Sequence, residues 1–186
     1  IRDFGAPAQA GFGVGGRVMQ AIFLPAMAIA FSTPAVAGQN FGARKAERVH
    51  ATFRDAVLMS SVVMFGLTLL CQWDPAWFIS RFTSEAEVIA VGSVFLQIIS
   101  LNFVAQGIIF TCSGMFQALG NTWPALASTA TRLLTFVALA LWLAYRPGFR
   151  LEHVWYLSVA TVALQAVMSW LLLRWQKHAR RGLRGP

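Results

Sequence analysis

Charge is scarce in this chain. Only 12% of its 186 residues are Asp, Glu, Lys or Arg, against 57% hydrophobic, and a water-soluble surface of that size cannot be built from so few polar groups. From Val88 to Thr131 there is not one charged side chain. Asp55, Asp74, Glu85, Glu87 and Glu152 all fall at or near the ends of apolar runs. With no nucleophile and base together at depth, an enzyme working inside a membrane is not expected. Cysteine is scarce too: Cys71 and Cys112 lie within apolar stretches, offer no disulfide framework, and read as packing residues. His50, His153 and His178 are far apart and share no helical face with a carboxylate, so neither a metal site nor a bound cofactor is expected.

In place of charge the chain has long apolar runs, at about 9–37, 51–72, 86–118, 123–145 and 152–174. A stretch of about 20 such residues spans the hydrocarbon core of a bilayer. The expected fold class is therefore all-α: a polytopic membrane bundle of about five transmembrane helices. A net charge of +8 and a pI near 11.1 invite a nucleic-acid reading. That reading needs basic residues clustered on a wet face, whereas here they flank the apolar runs, so no nucleic acid is expected and membrane lipid is the partner.

Orientation follows from where the basic residues gather. Arg44, Lys45, Arg48 and Arg54 follow the first run, and Arg174, Lys177, Arg180, Arg181 and Arg184 follow the fifth, while Arg81, Arg146 and Arg150 lie on the other side. Nine against three places the 38–50 loop and a basic tail, 175–186, in the cytoplasm of a multi-pass inner-membrane protein. An odd number of spans puts Ile1 outside. The start at Ile1, without a signal-peptide pattern, reads as a fragment with further helices before it.

Local sequence explains the breaks between runs. Gly120-Asn121-Thr122-Trp123-Pro124 is a helix stop and restart: Gly120 lies past the C-cap, Asn121 or Thr122 caps the next helix, and Pro124 sits in its first turn. Ser84-Glu85-Ala86-Glu87 fits a capping box. Tyr145-Arg146-Pro147-Gly148 ends the fourth run. Trp73, Trp77 and Trp155 are placed to mark the headgroup layers.

Within the runs a few residues stand out. Gly11-Phe12-Gly13-Val14-Gly15-Gly16 satisfies GxGxxG, but no strand precedes it and Val36 stands where a ribose-binding acid belongs. The glycines instead read as a surface for close helix approach. Pro25 and Pro34 predict a kinked first helix, freeing the carbonyls of Ala21 and Ala30. Arg17 and Arg132 lie within apolar runs, and each must snorkel or face protein or water. Arg132, about ten residues into its run, predicts an interior place. Asn102, Gln106, Ser113 and Gln117 recur at spacings of four, seven and four, which aligns them on one helical face. Interhelical hydrogen bonding and the polar wall of a solute cavity are both open readings of that face.

Ala37-Gly38-Gln39-Asn40-Phe41-Gly42-Ala43-Arg44-Lys45 resembles the cytoplasmic hinge of multidrug and toxic compound extrusion (MATE) transporters, where an apolar helix ends in Gly-Gln-Asn-x-Gly-Ala and a basic stretch. Phe116-Gln117-Ala118-Leu119-Gly120-Asn121-Thr122 is similar to the family's segment ending in Gly, Asp or Asn, then Thr. Gly13-x-x-x-Arg17, Leu24-Pro25-Ala26 and Arg132 also match. The resemblance implies twelve helices in two six-helix lobes, with residues 1–186 forming most of the C-terminal lobe and the earlier helices supplied from elsewhere in the same protein. It implies export of drug-like, often cationic small molecules in exchange for Na⁺ or H⁺, without ATP. Branches of the family place an acid midway along the helix matching 86–118; here that position holds Gln106, which cannot titrate.

Two other functions compete. A lipid-linked precursor flippase of the same superfamily needs several cations in its cavity to hold a pyrophosphate, and only Arg17 and Arg132 qualify. A non-transporting membrane fragment is the bland reading.

Overall fold

The computed structural model describes residues 6–146 and 150–182, with side chains described through Gln176. Seven helices follow one another: α1 (Ala6–Gly42), α2 (Ala46–Trp73), α3 (Pro75–Ser80), α4 (Ala86–Ser100), α5 (Phe103–Ala118), α6 (Trp123–Ala144) and α7 (Leu151–Gly182). Among the described residues there is no strand. Four helices are long and apolar enough to cross a membrane, and the bent pair α4 and α5, counted as one span, brings the number to five. The all-α reading with about five spans is what the chain adopts.

α1 is the organising element. It packs against α2, α4 and α5, and at 37 residues it is roughly 55 Å long, well beyond a bilayer's core. It runs unbroken through Pro25 and Pro34. Pro34 has no N–H for the Ala30 carbonyl, and α5 fills the space beside that oxygen with a glycine. A Cβ at Gly114 would stand 2.7 Å from the Ala30 oxygen, so no other residue fits. One turn pair earlier on the same face of α5, a Cβ at Gly107 would collide with the Ser60 hydroxyl of α2. These two glycines let α5 lie close to both α1 and α2, the route to association open to helices that share an apolar solvent. Gly11 and Gly15 do the same for α1 against Gly92 and Phe95 of α4, which is the use the glycine-rich motif finds. Cys71 and Cys112 are both buried, as packing residues.

The third expected span needs correction. It is not one straight helix: α4 and α5 meet at Leu101-Asn102 with a bend of 54°. The regular hydrogen-bond ladder lapses there, with the Leu101 and Asn102 amides turning to Ile98 and Ile99, three residues back. The carbonyl of Gln97 receives Gln72 Nε2 (2.7 Å) and Ser100 Oγ instead, and the Ser100 carbonyl receives Thr68 Oγ1 (3.0 Å). A polar side chain inserted into the ladder is a recognised cause of such a kink.

The other junctions divide. Gly120 has φ +67°, with Asn121 N–H bonding the Phe116 carbonyl and Gly120 N–H the Gln117 carbonyl, the paired closure of a Schellman turn. Thr122 takes the N-cap position of α6 with Pro124 just inside, yet the side-chain acceptor is Asn121 Oδ1, 3.3 Å from Trp123 N. The same closure ends α1: Lys45 N–H bonds the Asn40 carbonyl and Arg44 N–H the Phe41 carbonyl, with Arg44 itself at φ 56°. The capping box at Ser84 does not form, because Glu85 is the N-cap of α4 and makes no side-chain cap bond. Nor is Trp155 a headgroup marker: it is 4% exposed and packs edge-on to Phe95 at 5.3 Å, while Trp73 and Trp77 are exposed as expected. The stop at Pro147-Gly148 and Arg184 fall outside the described residues, as do the side chains of Lys177, Arg180 and Arg181.

Candidate functional site

α5 is enclosed on most of its circumference. Phe103 and Phe110 meet Phe23 of α1, Gly107 meets α2, and Ala105 and Ile109 pack with Val162 and Ala166 of α7. Between the α1-facing and α7-facing edges lies one strip that the described helices cover only in part. Gln106, Ser113 and Gln117 occupy that strip, at helical spacings of seven and four. Gln117 is exposed, Gln106 and Ser113 are half-buried, and none of the three side chains has a hydrogen-bond partner among the described residues. Polar groups on an apolar helix, free of protein partners and open on one side, can meet solutes through neutral donors and acceptors.

Asn102 continues the strip towards the bend but is not open. It lies at the N-cap position of α5, 5% exposed, makes no cap bond, and its Oδ1 is buried without a partner. Three of the four predicted strip residues therefore share one open face, and the fourth sits inside the bundle where the helix bends.

The two arginines do not join this strip. Arg132 is half-buried on the side of α6 that packs against α7, one turn beyond Ser128 and Thr129. Those two are bonded across the seam, Ser169 Oγ to Ser128 Oγ at 3.2 Å and Gln165 Nε2 to Thr129 Oγ1 at 3.1 Å. The seam is a polar one that the sequence reading missed. Its signal was present in the four-residue spacing of Thr161, Gln165 and Ser169 along α7. Arg17 is exposed on α1, away from the packed face that carries Val18 and Ile22.

The two motif segments end at the same side of the bundle. A methyl at Gly38 would stand 4.0 Å from the Ala118 carbonyl, so the close of α1 lies beside the close of α5. Asn40 donates from Nδ2 to the Val36 carbonyl (2.8 Å), Gln39 is exposed, and Gly42 is the last residue of α1 rather than its left-handed cap, a place Arg44 takes. Gly120 and Asn121 hold the matching turn after α5. Pro25 is exposed and Pro34 half-buried, inside α1. Among the described residues no three His, Cys, Asp or Glu side chains come together.

A bundle of apolar helices long enough to cross a bilayer, one of them broken midway, is the architecture of a polytopic membrane protein. Comparison with known proteins supplies the family: the MatE family model matches residues 2–142, and the chain belongs to the multidrug and toxic compound extrusion family. It is 25% identical over 187 residues to "Probable multidrug resistance protein NorM" of Thermotoga maritima, covering 94% of this chain and 39% of that protein. To "Probable multidrug resistance protein YoeA" of Bacillus subtilis it is 22% identical over 180 residues, again covering 39% of the relative. The chain thus spans about 39% of the length of these relatives. The fold is similar to a solved inward-facing multidrug resistance MATE transporter of the MOP superfamily, with a TM-score of 0.83 at 19% identity over 94% of this chain and 41% of that one.

Proposed function

We propose that this chain is the C-terminal lobe of a secondary exporter that carries amphipathic, often cationic small molecules out of the cell in exchange for Na⁺ or H⁺. The observation that carries the reading is the partly uncovered Gln106–Ser113–Gln117 strip in a chain of this family. The helices that complete the pathway come from the rest of the same protein. The strip is neutral, so it contributes hydrogen bonds and shape, and the coupling carboxylates lie outside this chain. Transport proceeds without covalent chemistry and without a bound cofactor.

The 38–50 segment, which is the end of α1, the 43–45 turn and the start of α2 rather than one loop, faces the cytoplasm of the inner membrane, supported by its cluster of basic residues. A cysteine at position 45 is then labelled by a membrane-impermeant maleimide only after the cells are opened, and labelling in intact cells reverses the orientation. The placement of the two arginines supports export over the flippase reading. Among the described residues Arg17 is exposed on α1 and Arg132 is half-buried on α6 beside α7, so these two do not form the paired cation site a pyrophosphate needs.

The deciding measurement is efflux of a cationic dye from vesicles holding the full-length protein, under an imposed Na⁺ or H⁺ gradient. Gradient-dependent efflux that falls by about tenfold in Gln106→Leu/Gln117→Leu supports the reading, a loss on the scale of one or two hydrogen bonds in a dry site. Wild-type efflux in that double variant removes the strip from the pathway. Arg132→Ala impairs export more than Arg81→Ala, because Arg81 sits at a helix end over the Trp77 ring; equal activity of the two takes Arg132 out of the working structure.

A further inference from the structure

A groove of about 400 Å³ runs between α1 and α2 at the end where the two helices are joined. We propose that it is a binding site for an anionic phospholipid, with the phosphate at Arg48 and one acyl chain lying along the groove. The inference goes beyond export and rests only on the chain's place in a bilayer.

The chemistry of the walls selects the ligand. From Ile29 to Asn40 on α1, and from Arg48 to Met59 on α2, each wall extends about 16 Å, close to half of a bilayer's hydrocarbon core. The hydroxyls and the amide that line it are spent on their own helices. Ser32 and Thr33 both donate to the Ile29 carbonyl, Thr52 donates to the Arg48 carbonyl, and Asn40 Nδ2 donates to the Val36 carbonyl. With those donors satisfied, most of the exposed lining is carbon, from Ile29, Val36, Ala51, Ala56 and Met59. The one acid on the wall, Asp55, is paired with Arg54 at 3.0 Å. The Arg48 guanidinium has no partner among the described residues and is exposed one turn inside α2, at the level of Arg44 and Lys45.

The site therefore has an apolar slot one leaflet deep and a free cation at its mouth. Around that mouth Arg44, Lys45 and Arg48 outnumber Glu47, an excess that attracts anionic headgroups. A guanidinium also matches a phosphate in a forked, two-bond geometry. A zwitterionic lipid fits the slot but brings its own cation against Arg48. A second copy of the chain, or another helix of the same protein, is the alternative occupant that the test must separate.

The purified full-length protein is equilibrated in mild detergent with phosphatidylglycerol or phosphatidylcholine, and retained lipid is counted by native mass spectrometry. Wild type retains phosphatidylglycerol in preference, and Arg48→Gln lowers that preference by about fivefold, the effect of one basic residue at an anionic surface. Arg48→Lys keeps most of it, and Arg81→Gln, at the opposite end of the bundle, keeps all of it. Ser32→Phe, filling the slot, lowers retention of both lipids. Inorganic phosphate at millimolar concentration does not displace the lipid. Equal preference in wild type and Arg48→Gln overturns the proposal. So does displacement by phosphate alone, or unchanged retention in Ser32→Phe, which means that protein fills the groove. Because none of these readouts involves transport, a failure here is distinct from a failure of the export reading.

Discussion

α1 carries two prolines and runs unbroken for 37 residues, while the crossing made by α4 and α5 carries none and bends by 54°. The difference lies in where the disrupted carbonyls find company. Beside Pro34 the Ala30 oxygen is met by the close approach of Gly114, and α1 is braced by α2, α4 and α5. At Leu101-Asn102 the freed oxygens of Gln97 and Ser100 are met by donors reaching across from α2. A proline removes one bond and leaves the helix to its neighbours, whereas a neighbour's amide or hydroxyl entering the ladder offers the backbone an alternative to staying straight.

Three substitutions test that contrast. The largest effect is expected from Gly114→Leu, which drives a side chain into the Ala30 carbonyl and Pro34. It should cost about 3 kcal/mol, in the range of overpacked interiors, read as an earlier midpoint in SDS unfolding from mixed micelles. Gln72→Leu comes next. It removes the donor to Gln97 O and to Ser100 Oγ, and should cost about 1.5 kcal/mol, near the upper end for polar contacts between membrane helices. It also lets the crossing straighten: spin labels at positions 87 and 121 should move apart by about 5 Å, as the helix rise and the 54° bend dictate. An unchanged distance would return the bend to local sequence. Pro25→Ala has the smallest effect, a gain of less than about 0.5 kcal/mol, because the helix already passes Pro25 without interruption. A change of several kcal/mol there would mean that Pro25 constrains α1 by more than its one missing hydrogen bond.

The same contrast explains what could be read without coordinates. The crossings were legible because a bilayer sets a minimum apolar length, and the turn at Gly120 because a left-handed residue and a following Pro124 leave local marks. The bend was hidden, since its cause in Thr68 and Gln72 lies 32 and 25 residues from the carbonyls it satisfies. Trp155 was misplaced for a related reason. A tryptophan near a span's end fits the headgroup layer by default, and only the arrangement of α4 beside α7 puts Phe95 against its ring. Gln106, Ser113 and Gln117 were found by spacing alone, yet whether the strip was open or packed depended on which edges of α5 its neighbours took. Arg132 is half-buried, and its place beside α7 follows from the Ser128 and Thr129 contacts of the same helix face.

The paired closures after α1 and α5 use identical hydrogen bonds around unlike residues, Arg44 at φ 56° and Gly120 at φ +67°. A left-handed backbone costs a side-chain-bearing residue roughly 1 kcal/mol or more, and glycine nothing. Of two adjacent ends at one face of the bundle, the last turn of α1 is therefore the readier to fray, by about fivefold in equilibrium. Unwinding of this lobe should begin at residues 43–45, where the departing backbone carries two positive charges with it.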